Sequence, residues 1–158
     1  MSYQWIRFLH IASAIGFVGV HGASIVVLYA IRSESDRGRI ESLLGFSART
    51  VIAMYLSLGL VVGTGFWLGF VLPAWFSQPW YWLSLALLAL TTVLMWFVAR
   101  PFGKRVLAAC EIRPSGVPRV SDEELSQILR SQRTNVITLI GVAGLGAVLY
   151  LMVFKPVF

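Results

Sequence analysis

Apolar residues run through this chain in long unbroken stretches, and the charged residues collect between them. With the charges as bookends, four stretches stand out, at 3–31, 50–72, 80–99 and 135–154. Each reaches the roughly 20 residues that a helix needs to cross a bilayer. Outer-membrane strands would alternate every second residue over about ten positions, so continuous runs predict helices. Only the connection at 101–134 is long, and neighbours in sequence are expected to pack antiparallel. The pattern therefore predicts an all-α protein: an integral membrane four-helix up-down bundle, with 1–158 forming a single transmembrane domain.

The long connection has an element of its own. In SDEELSQILRSQR, at 121–133, Ser121 can cap a helix whose Glu124 closes a capping box, with acids in the first turn and arginines in the last. Leu125, Ile128 and Leu129 share one face, which predicts an amphipathic helix lying in the membrane interface. Pro114, Gly116 and Pro118 before it mark an irregular segment.

Charge gives the bundle a direction. Arg32, Arg37, Arg39 and Arg49 fall in the first connection, and Arg100, Lys104, Arg105, Arg113, Arg119, Arg130 and Arg133 in the third, while 73–79 has neither Lys nor Arg. The positive-inside rule then places both basic connections in the cytoplasm and both termini outside. Tyr3, Trp5, Trp75, Phe76, Trp80, Tyr81 and Trp82 gather at the outer interface in that arrangement. The first run is longer than the core of a signal peptide and is expected to remain as a span.

Composition agrees with the pattern: 58% of residues are hydrophobic and 13% charged, with a mean hydropathy of +0.78. The net charge of +6 is accounted for by the basic connections facing anionic lipid, with no nucleic-acid partner implied. A bacterial cytoplasmic (inner) membrane is the expected location, with the lipid bilayer as the first partner.

Several chemistries are disfavoured. No Asp or Glu lies within the four runs, so a proton- or cation-coupled transporter would lack its intramembrane carboxylate. HExxH, CxxC and a phosphate-binding glycine loop are missing from the sequence, and Ser24 has no base assigned to it. The lone Cys110 has no partner for an internal disulfide. Glycines recur at Gly16, Gly19 and Gly22, at Gly59, Gly63, Gly65 and Gly69, and at Gly141 and Gly144. Such spacings let membrane helices approach closely, either within the chain or between copies.

The two histidines of the chain, His10 and His21, both lie in the first run. Eleven helical residues separate them, about three turns plus 20°, so they share one face and stand roughly 16 Å apart along the axis. Two imidazoles on one membrane helix suit a haem b site, because neutral imidazole ligates iron well and a porphyrin buries among apolar side chains. Arg7, one turn before His10, is placed to meet haem propionates. Met152, near the outer end of the last span, is the thioether best matched in depth to His10, ahead of Met54 and Met95. The expected cofactor-binding set is His10, His21, Arg7 and Met152, with His10 and His21 as metal ligands. A chlorophyll-type pigment would use the same residues. The alternative is structural: an interfacial His10 bonded to water or a carbonyl, and an interhelical hydrogen bond from His21. If haem binds, one arrangement uses His10 alone, and another uses a homodimer in which each histidine faces its copy.

The opening YQWIRFLHIASAIGFVG, the basic loops and the closing LYLMVFKPVF, with Lys155 and Pro156, resemble a family of uncharacterised bacterial four-helix integral membrane proteins. More distantly, they are similar to HemJ-type protoporphyrinogen oxidases and CopD-type copper-resistance domains. Trp5, Leu9, His10 and the Lys155-Pro156 end carry that resemblance. The HemJ-type likeness implies haem binding at His10 and a lysine in the third span. Here that span, YWLSLALLALTTVLMWFVA, has no basic residue before Arg100, and Arg133, Thr134 and Asn135 stand where an Asn-Glu pair would precede the last span. The expected function is thus a haem-b binding protein serving electron transfer or a larger membrane complex. The alternatives are a non-catalytic accessory subunit and a divergent porphyrin oxidase.

Overall fold

The computed structural model describes residues 2–156, so Val157 and Phe158 of the closing motif lie outside the described residues. Its elements are α1 (Tyr3–Ala30), a 3-10 turn (Ile31–Ser33), α2 (Arg37–Val71), a second 3-10 turn (Pro73–Ser77), α3 (Pro79–Cys110), α4 (Asp122–Leu129) and α5 (Arg133–Phe154). Four of the helical segments are long and apolar enough to cross a membrane, and they form the expected all-α bundle. α1 packs chiefly on α2 and α3 chiefly on α5, with lighter contact from α2 to α3 and from α1 to α5. The bundle is two tight helix pairs joined along a seam.

The helices outrun the predicted spans. α2 begins at Arg37 rather than near residue 50, because Asp36 caps it by accepting from the N–H groups of Gly38 (2.9 Å) and Arg39 (3.4 Å). α3 continues past Pro101 to Cys110 instead of ending near 99. Charges marked where apolar surface stops, and a helix has no need to stop there. At 35 residues, α2 is about 52 Å long, well beyond a hydrocarbon core of about 30 Å.

These overhangs build the main core, at the basic end of the bundle. Val27, Ile31, Ile40, Phe102, Val106, Ala109 and Cys110 bury one another there, together with Leu125, Ile128 and Leu129 of α4. The helix expected at 121–133 is Asp122–Leu129, broken from α5 at 130–132, and its apolar face packs on the projecting helix ends. Outside the hydrocarbon, water drives that burial. Within the membrane there is no such drive, and at most 17% of any span window is buried. Cys110 is 1% exposed.

Arg37 fastens the basic end. Its guanidinium donates to the carbonyl oxygens of Ala109 (2.6 Å) and Val120 (2.9 Å) and to Asp122 (2.6 Å). One side chain thereby ties α2 to the end of α3 and the start of α4. Asp122 is 86% exposed, so the two carbonyl bonds carry most of the effect. Arg37→Met is expected to destabilise the protein by about 2–3 kcal/mol, the range for buried charge-assisted hydrogen bonds. Thermal unfolding in detergent checks this, with Arg119→Met, which breaks an exposed pair to Glu111, changing stability by less than about 0.5 kcal/mol.

The opposite end is aromatic. Trp75, Phe76, Trp80, Tyr81 and Trp82 pack edge-on in a connected group. Lys155 ends α5 in a left-handed conformation (φ 44°) and lays its ammonium 4.4 Å from the Trp75 ring centre and 5.5 Å from that of Trp80. Its αL conformation and its charge together close α5 onto this end of the bundle.

Candidate functional site

His10 projects from α1 onto α2. Its Nδ1 lies 2.9 Å from Thr64 Oγ1, and the Thr64 hydroxyl is already committed as a donor to the Leu60 carbonyl four residues back. A hydroxyl has one proton, so toward His10 it accepts, which assigns the Nδ1–H tautomer. In the neutral imidazole Nε2 then carries the lone pair, the arrangement by which a partner fixes a ligating imidazole. The ring rests against Gly65, where a Cβ would lie 3.4 Å from Cε1. His10 is half-buried, so it is both held and reachable.

His21 is placed differently. It is 8% exposed and stacks on Phe17 with ring centres 6.3 Å apart. Its Nε2 edge presses onto the α5 backbone at Gly141, where any Cβ would collide with Nε2 and stand 3.0 Å from Cε1. Nε2 is buried without a hydrogen-bond partner. Three residues on, Thr91 of α3 fills the matching notch at Gly144. Both histidines lie on one side of α1, as expected from their spacing; that side faces the other helices, His10 turning to α2 and His21 to α5.

The other expected members are placed as follows. Arg7 is exposed, one turn from His10 toward the aromatic end. Met152 packs on Trp80, Tyr81 and Leu151, whereas His10 packs on Thr64 and Gly65. Among the described residues no group of three or more His, Cys, Asp or Glu is placed to hold a metal ion.

Sequence reasoning missed Thr64 and Tyr81. Thr64 shares α2 with a dozen other small residues, and only tertiary contact singles it out. Tyr81, 2% exposed, reaches the Gly65 carbonyl with its hydroxyl (3.4 Å) and contacts the Gly69 backbone along with Phe76. The Gly65/Gly69 spacing is therefore used inside the chain, by His10 on one glycine and by Phe76 and Tyr81 on the other. A Cβ added at Gly59 or Gly63 would meet nothing within 4 Å outside its own helix backbone.

The arrangement offers one oriented imidazole nitrogen at the side of an apolar bundle, and a second imidazole sealed into a helix contact. No curated protein and no solved structure matches the chain. A family model does match, over residues 4–156, and its description is that of a predicted integral membrane protein. The chain belongs to that family, DUF2269.

Proposed function

We propose that this protein holds a haem b or a related macrocycle through His10 Nε2, and serves electron transfer or a larger membrane complex. The observation that carries this reading is the His10–Thr64 hydrogen bond, which leaves Nε2 as the unprotonated nitrogen. The donor set fits a macrocycle with a single protein ligand. His10 is oriented by Thr64 and half-buried, its ring rests against Gly65, and Arg7 lies toward the water to meet carboxylates. His21 fits no such role in this packing, because its Nε2 edge is against the backbone of α5. The two-fold dimer through both histidines is accordingly not part of the proposal. Bound there, the macrocycle supplies reversible one-electron chemistry, while the chain supplies the ligand, its tautomer and an apolar surround.

A divergent porphyrin oxidase is the weaker reading, since α3 lacks an intramembrane lysine. A cofactor-free accessory subunit is favoured by a different observation. Gly59 and Gly63 are open and stand among exposed Ile52, Leu56, Phe66 and Trp67, a face on which another membrane helix can pack. The spectrum of protein extracted in mild detergent separates the readings. A Soret band with a pyridine haemochrome is expected; a far-red band indicates a chlorophyll-type pigment, and a colourless protein leaves the accessory role.

The orientation proposed with this reading puts the aromatic end and His10 outside. Cys110 cannot report it, being buried, so exposed loop positions are needed. In a Cys110→Ala background, an impermeant thiol reagent is expected to label Ser77→Cys in intact cells and Ser115→Cys only in inverted vesicles. The opposite pattern reverses the topology.

A further inference from the structure

At the basic end, α3, α4 and the start of α5 border a half-open cavity of about 310 Å³. Phe102 and Ile128 form its apolar floor, and Arg105, Arg133, Gln127, Ser131 and Glu124 supply its polar wall. Three features give it a charge preference. None of the ion pairs found among the described residues uses Arg105, Arg133 or Glu124, so two guanidiniums face one carboxylate and the balance is positive. The Ser131 hydroxyl is buried with no hydrogen-bond partner. No side chain caps the first turn of α5, whose N–H groups open beside Arg133.

Depth narrows the ligand. α5 has 22 residues, about 33 Å, so Arg133 lies one hydrocarbon thickness from the aromatic end. Arg105, about 39 Å along α3 from Pro79, lies just beyond it. Both stand at headgroup level, and Val136 and Leu139 on the next turns of α5 are exposed to acyl chains. We infer that this cavity binds the phosphate of an anionic phospholipid, between Arg105, Arg133 and the Ser131 hydroxyl. Guanidinium forks match a phosphate better than ammonium does. Glu124 and Gln127 then face the rest of the headgroup, which suits a hydroxyl-bearing one such as glycerol, since a carboxylate accepts from hydroxyls.

Native mass spectrometry of the whole protein, purified with phosphatidylcholine and phosphatidylglycerol in mixed micelles, tests this. Wild type is expected to retain one phosphatidylglycerol in preference to phosphatidylcholine, and Arg105→Gln/Arg133→Gln to bind it at least tenfold more weakly. Lys104→Gln/Arg113→Gln, which removes the same charge elsewhere on the basic end, is expected to bind like wild type. Arg105→Lys/Arg133→Lys, which keeps the charge, should retain part of the binding and guards against loss through misfolding. Inorganic phosphate forms a separate arm. If it protects wild type against thermal unfolding and phosphatidylglycerol is not retained, the site takes a soluble phosphate and the lipid assignment is overturned. Equal retention by wild type and Arg105→Gln/Arg133→Gln, or equal loss in both double Gln variants, overturns the site itself.

Discussion

Gly141→Ala is expected to be strongly destabilising. The new Cβ would occupy the space of His21 Nε2 and lie 3.0 Å from Cε1, and neither neighbour yields easily. The imidazole is wedged between Phe17 and α5, and the backbone of α5 is held by its own helical bonds. Overpacking of this kind costs about 1–3 kcal/mol. His21→Ala removes the obstruction while opening a void. Alone it destabilises, but combined with Gly141→Ala it should restore part of the loss, giving a coupling of about 1 kcal/mol or more in a double-mutant cycle. Thermal unfolding of the four proteins in one detergent reads this directly. Additive effects would show that His21 does not occupy the Gly141 notch.

The second large effect concerns cofactor content. His10→Ala should abolish macrocycle binding, because the chain offers no other imidazole nitrogen that is both oriented and reachable. His21→Ala should leave content near the wild-type level in whatever fraction remains folded. Thr64→Val tests positioning: it keeps the volume of the side chain but removes the acceptor for Nδ1–H. Loss of an outer-shell partner of this sort weakens ligand binding by about 10–100-fold, with Thr64→Ser expected to rescue it. A purely structural His10–Thr64 bond would lower thermal stability in Thr64→Val without changing the absorption spectrum of bound macrocycle. Visible absorption per polypeptide, compared across these variants, distinguishes the two.

Much of the fold could be read before any coordinates. Four apolar runs became four spans, and Ser121 caps α4 by accepting from the Glu124 N–H at 3.2 Å. These are local matters of composition and of residues three or four apart. The helices run on to Arg37 and Cys110, beyond the expected spans, because hydropathy senses the lipid boundary and not the hydrogen-bonding that continues past it. Of the expected capping box, the structure shows the Ser121 half, the Glu124 N–H donating to the Ser121 hydroxyl. The shared face of Leu125, Ile128 and Leu129 is legible in the sequence, but an amphipathic face does not say which residues cover it. In the site, the spacing of His10 and His21 placed both on one face of α1. What each imidazole meets there depends on α2 and α5, more than 50 residues away for His10 and Thr64. Gly141 is a glycine because of His21, and no local pattern expresses that relation.

The central claim is that His10 Nε2 is the protein's ligand to the macrocycle, and chemical rescue tests it most directly. His10→Gly, purified from cells supplied with haem precursor, should lack a Soret band. Added imidazole should then restore haem binding in a saturable manner, by filling the space the side chain left beside Thr64 and Gly65. Full haem retention by His10→Gly without imidazole would contradict the assignment.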